Sequence, residues 1–170
     1  LDTSVSEDRI GQYYQDHEEK FILQRPVVKA RFLLIAEDSP SLDKIKKKMA
    51  SDEVQDLVDA DSLAYSSALK FLTWGNEWID VSTLAREFGA DHETMLDWME
   101  GKWITRRDTS GRVSVAYVSE MMNAGRLAPI EYCTPSIRDM IISARKQSLI
   151  STLEQDLLKD ARETGQLVIF

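Results

Sequence analysis

The 170 residues include one cysteine, Cys133, so the chain can form no internal disulfide. That suits the cytoplasm, or an exported protein that does not rely on disulfides. Histidine is nearly as scarce. His17 and His92 are far apart with no cysteine pair beside them, so no zinc site is expected. Four prolines, seven glycines and 29% charged residues argue against long disordered tracts. No stretch approaches the roughly 18 consecutive apolar residues of a membrane helix. Positive charge is in deficit, with 21 Lys and Arg against 29 Asp and Glu, a net charge of −8. A phosphate backbone would be repelled unless a local basic patch existed. Lys44, Lys46, Lys47 and Lys48 form the one dense basic run, which reads as a solvated helix face. Neither G-x-G-x-x-G nor G-x-S-x-G occurs. Gly101-Lys102 runs into Trp103 without the upstream glycine of a phosphate loop, so no nucleotide or other cofactor is expected. Acidic pairs such as Asp59 and Asp61 carry no glycosidase signal without a pocket. The chain opens at Leu1 rather than methionine, which leaves room for a removed signal peptide, a lipid anchor or a longer N-terminal segment.

What is present is enough apolar residue, 43%, to bury a core in one large domain or two small ones. Ser4 and Glu7 have the spacing of a capping box, and a helix is expected from there to about Glu19. Ile10, Tyr13, Tyr14, His17 and Phe21 share one side of it. Val27 to Ala36 has strand chemistry. Two helices are expected over about 41–50 and 52–71, and two shorter ones over about 81–88 and 92–99. Lys102–Asp108 and Arg112–Met121 read as a hairpin joined through Thr109-Ser110-Gly111, where glycine suits positive φ. Thr134-Pro135 is a helix start, a capping hydroxyl followed by proline. The helix can run to about Thr164, with Gly165 as its cap, over roughly 45 Å. Leu167–Phe170 then reads as a short strand in need of a partner. The fold class is α+β: a small antiparallel sheet with surrounding helices, plus a long C-terminal helical arm.

The order of these elements resembles the SurA-type periplasmic foldases. Glu7 to Tyr14 and His17-Glu18-Glu19-Lys20-Phe21 look like the helix that leads into a parvulin (PpiC-type) domain. Val28 to Ile35 resembles its first strand. Gly75-Asn76-Glu77-Trp78 and Leu84-Ala85-Arg86-Glu87-Phe88 sit where parvulins carry a glycine-tryptophan turn and a helix ending in phenylalanine. Gly111 to Val118 stands for the last strand. The resemblance implies three segments: a lead-in helix over 1–24, a parvulin-like domain over 25–130, and an arm over 131–170 that completes a helical chaperone module. The departures bear on activity. Phe32 occupies the place of the family's first-strand histidine, the last strand has no histidine, and Cys133 lies beyond the domain. Isomerisation faces an intrinsic barrier near ~20 kcal/mol. Lowering it needs polar groups placed around a twisted amide. The domain is therefore read as degenerate, without catalytic residues.

The resemblance implies an ATP-independent periplasmic chaperone that binds unfolded polypeptides, outer-membrane proteins among them. Phe32, Trp74, Trp78, Phe88, Trp98 and Trp103 are the candidate peptide-binding residues, because four tryptophans within thirty residues make an apolar groove plausible. A homodimer through the C-terminal helix and strand is a further expectation. An active isomerase with an altered site is the alternative within the family. Outside it stands a helix-turn-helix regulator. Leu84, Ala85, Phe88, Gly89, Met95 and Trp98 have that motif's spacing, but the second helix carries Asp91, Glu93 and Asp97 and no Lys or Arg before Lys102, so nucleic acid is not an expected partner.

Overall fold

The structure is a computed structural model, and it describes residues 1–165. The expected strand Leu167–Phe170 lies outside the described residues. The chain divides into two compact units, Leu1–Phe21 with Cys133–Phe170, and Ile22–Tyr132.

The second unit is an α+β fold on a small, open antiparallel sheet. β1 (Val27–Ala36) and β5 (Arg112–Met122) form its centre, paired over their whole length. β2 (Ala68–Leu72) lies outside β1, and β4 (Trp103–Arg107) outside β5, so the order is β2-β1-β5-β4. A two-residue strand, β3 (Ile79–Asp80), pairs with the start of β1. Strand side chains alternate between faces, and both faces are covered. On one, Val28, Ala30, Phe32, Ile104, Ala116 and Val118 pack with α4 (Val81–Glu87) and α5 (His92–Trp98) through Leu84, Ala85 and Met95. On the other, Leu33, Ile35, Val113 and Val115 pack with α2 (Leu42–Met49) and α3 (Val54–Ser67) through Ile45, Met49, Ala60 and Ala64. Double burial explains why β1 reads as a nearly continuous apolar run. Its one buried charge, Arg31, donates a 3.1 Å hydrogen bond to the carbonyl of Met49 at the end of α2. The β4–β5 hairpin turns through Gly111 at φ 83°, as the glycine there predicts.

In the first unit, α1 (Glu7–Asp16) starts two residues later than the Ser4–Glu7 pair indicates. Ser6 is the cap, and its hydroxyl accepts from the Arg9 N–H at 3.1 Å. Ser4 instead donates its amide and hydroxyl to Asp2. The helix ends at Asp16, and a 3-10 turn over Glu18–Phe21 follows. α6 (Ile130–Glu163) is 34 residues long. It begins four residues before Thr134, and Pro135 falls inside it, where its missing N–H forgoes a bond to the Glu131 carbonyl. The first half of α6 buries Cys133, Ile137 and Ile141. Tyr13 donates to the Met140 sulfur at 3.5 Å, and Arg145 donates to the carbonyls of Asp2 and Ser4. Further along, Leu149, Ile150, Leu153, Leu157 and Leu158 are exposed. No helix among the described residues is long and apolar enough to cross a membrane.

Candidate functional site

The six aromatic candidates do not form one surface. Three of them stack outward from the sheet. Phe32 projects from the middle of β1 and is 0% exposed. Its ring meets Phe88, at the end of α4, edge-on with centroids 5.2 Å apart. Phe88 in turn meets the edge of Trp98, the last residue of α5, at 6.3 Å. The Arg106 guanidinium lies 4.0 Å from the Trp98 ring centroid. The order Phe32, Phe88, Trp98, Arg106 thus runs from the dry interior to a charged rim. Phe88 and Trp98 are half-buried, so the part of the stack that solvent reaches is theirs.

This arrangement follows from the local sequence. α4 and α5 are seven residues each and are set by their caps. The Asp80 carboxylate accepts from the Ser82 N–H at 2.8 Å, and that of Asp91 from the Thr94 N–H at 2.7 Å. Between the helices Gly89 turns at φ 68°. Burial pushes the Asp80 carboxyl up. Hydrogen bonds from Arg25 and Ser82 outweigh it and hold the group below its ordinary range. Hydrogen bonding by Thr94 lowers Asp91 in the same way. The shifts of Asp80 and Asp91 are therefore explained by capping and pairing.

Trp74 packs against the same core. It opens a turn of three consecutive residues with positive φ: Trp74 at 50°, Gly75 at 63° and Asn76 at 59°. A tryptophan in the left-handed region is strained by roughly 1–2 kcal/mol, and it is held there by its packing. Trp78 stands apart, just before β3, with the Lys29 ammonium 5.2 Å from its ring. Trp103 is on the opposite face of the sheet. It pairs across strands with Tyr117, ring centroids 4.9 Å apart, and carries the Lys46 ammonium at 5.3 Å. Trp98 and Trp103 approach each other only around the β4 edge. There they share the lining of a cavity of about 230 Å³ with Asp97, Glu100, Ile104, Thr105 and Arg106.

Sequence reasoning missed Arg106 and Tyr117. The signal was available in the alternation along β4: once Ile104 is placed inward, Arg106 shares its face and Trp103 does not.

Around Phe32 the sheet is apolar. Phe32 pairs across strands with Ala116 on β5, and both are 0% exposed. His17 lies on the turn after α1 and His92 opens α5, so neither is on the sheet. Cys133 is buried on α6. Among the described residues no three His, Cys, Asp or Glu side chains gather to hold a metal ion.

No protein family matches the chain, and no curated protein does. A solved structure that it resembles comes from work on the virulence factor PEB4 and the periplasmic protein Cj1289, two structurally related SurA-like chaperones of the human pathogen Campylobacter jejuni. The identity is 15% and the TM-score 0.37, over 98% of this chain. The chain spans 64% of the length of that structure.

Proposed function

We propose that the protein is an ATP-independent chaperone of the cell envelope that holds unfolded polypeptides, outer-membrane proteins among them, and does not isomerise proline. In this reading residues 25–130 are a degenerate parvulin-like domain, and residues 1–24 and 131–170 belong to a helical arm. The observation that carries the reading is the contact of Phe32 with Phe88, next to Ala116 on the paired strand. It fills with hydrocarbon the place where a parvulin needs hydrogen-bonding groups. Prolyl rotation is accelerated only by groups that bind the twisted amide better than the planar one. A wall of Phe88 and Trp98 gains from contact with either isomer alike. Such a surface grips apolar segments weakly and without sequence preference, and several weak contacts along one client add by effective concentration.

The helix-turn-helix reading is disfavoured by the use of α4 and α5. Leu84, Ala85 and Met95 are spent on covering the sheet, and the exposed side of α5 carries Glu93 and Asp97. Those carboxylates would meet phosphates. The test of the reading is the cis-to-trans conversion rate of a short proline peptide, with a working parvulin as control. The expected rate is that of the uncatalysed reaction. Acceleration near that of the control would overturn the reading.

A further inference from the structure

The two edges of the sheet differ in their protection. β4 is flanked by Lys102 and carries Arg106 and Arg107. Arg106 is stacked on Trp98 and Arg107 is paired with Glu37. Charges of this kind discourage another strand from adding to an edge. β2 has no such guard. Its one cation, Lys70, is held 2.7 Å from Glu87. No described strand pairs with its outer side. The register of β2 skips a residue: Leu34 pairs with Lys70 and Ile35 with Ala68, so Leu69 is left over at a bulge. A bulge re-aims its extra residue, and Leu69 is 62% exposed.

Beside this edge runs an apolar face of α3. Val54, Val58, Asp61 and Tyr65 recur at helical spacing and share one side of the helix. Val54, Val58 and Tyr65 are exposed, Tyr65 by 93%. Between helix and strand lies a cavity of about 220 Å³ lined by Asp61, Ala64, Tyr65, Ala68, Leu69, Lys70 and Phe71, the Lys70 ammonium being neutralised by Glu87. Asp61 is its one acidic side chain. Among the described residues no hydrogen bond or ion pair satisfies that carboxylate, whereas Asp56 and Asp59 on the same helix are bound by Lys48.

We infer that this groove is a second peptide-docking site, for an extended segment that alternates apolar residues with a lysine or arginine. The backbone of the segment pairs with the free edge at residues 70–72, as in strand addition. An apolar side chain enters the cavity between Tyr65 and Phe71, and the cation meets Asp61. The charge complementarity selects a basic segment over an acidic one. The inference does not depend on the reading of the Phe88–Trp98 surface.

The probe is a short fluorescein-labelled peptide of alternating valine and threonine around one lysine, titrated by anisotropy against the whole chain. Saturable binding is expected. Asp61→Lys weakens it by roughly two- to five-fold, the scale of an exposed ion pair, and a glutamate version of the peptide regains the loss on that variant. Leu69→Lys weakens it as well, and methylation of the peptide's backbone amides abolishes it. Both substituted side chains are exposed, so thermal melts stay unchanged. Trp98→Ala leaves this binding intact, which separates it from any failure of the other surface. Absence of binding, indifference to Asp61→Lys or equal binding of the methylated peptide overturns the inference. So does a concentration-dependent dimer that Leu69→Lys dissolves, because the edge would then be filled by a second copy.

Discussion

A histidine at position 32 would meet no water and no hydrogen-bonding partner. The residue is 0% exposed, with Phe88 above it and Ala116 beside it. An imidazole there leaves two buried nitrogens unsatisfied, at a cost of about 1–3 kcal/mol. Phe32→His is therefore expected to lower stability, read as the midpoint of urea unfolding, without producing isomerase activity. A variant that gained activity would mean that the pocket opens to solvent. Phe32 itself cannot touch a peptide unless Phe88 moves, so its contribution to a peptide surface is to fix the ring of Phe88 from below. That distinction was not legible in the sequence. An aromatic in an apolar strand reads the same whether it floors a groove or lines it, and only the position of α4 separates the two.

At the scale of elements, the sheet and its covering helices were largely legible, and the misses have local causes. The β4–β5 hairpin was announced by its glycine and by two alternating strands. Its turn is held by Asp108, whose carboxylate accepts from the Ser110 hydroxyl and from the amides of Ser110 and Arg112. These bonds lower its pKa from the usual 3.8 to about 2. The folded pKa is depressed, so the stabilisation from this turn is fully present above 3.8 and is lost as pH falls through about 2. A carboxyl-carbon NMR titration is expected to place the Asp108 midpoint there, and a midpoint at the ordinary value would contradict the turn geometry.

The sequence misleads over 52–71, where one helix is expected and a helix and a strand are found. Ala64, Ala68 and Phe71 continue the helical period with no glycine or proline to interrupt it. The break lies at Ser66 and Ser67, whose hydroxyls both donate back to the Leu63 carbonyl. Serine pairs compete with helical backbone bonds in this way, and pairing with β1 then decides the conformation. Thr134-Pro135 misleads in the other direction. It is a strong start signal, yet α6 already begins at Ile130, directly after Pro129.

For the whole molecule, the far half of α6 is the largest unexplained apolar feature. Leu149, Ile150, Leu153, Leu157 and Leu158 are 44–69% exposed. Lys146 and Asp160 lie at equal sequence distance on either side of Leu153. Antiparallel pairing of two copies about Leu153 would bury the stripe and set each Lys146 against the partner's Asp160. Sedimentation velocity is accordingly expected to find a dimer that Leu153→Lys with Leu157→Lys reduces to a monomer. A wild-type monomer across the micromolar range would show that the stripe serves another purpose.

The central claim is that the half-buried aromatics beside α4 and α5 hold unfolded chains. Its most direct test is light scattering as a β-barrel outer-membrane protein is diluted from urea in the presence of this protein. Suppression of aggregation at several-fold excess is predicted. Trp98→Ala should suppress less while its circular-dichroism melt stays close to that of the wild type. No suppression by the wild type, or full suppression by a folded Trp98→Ala variant, would contradict the account.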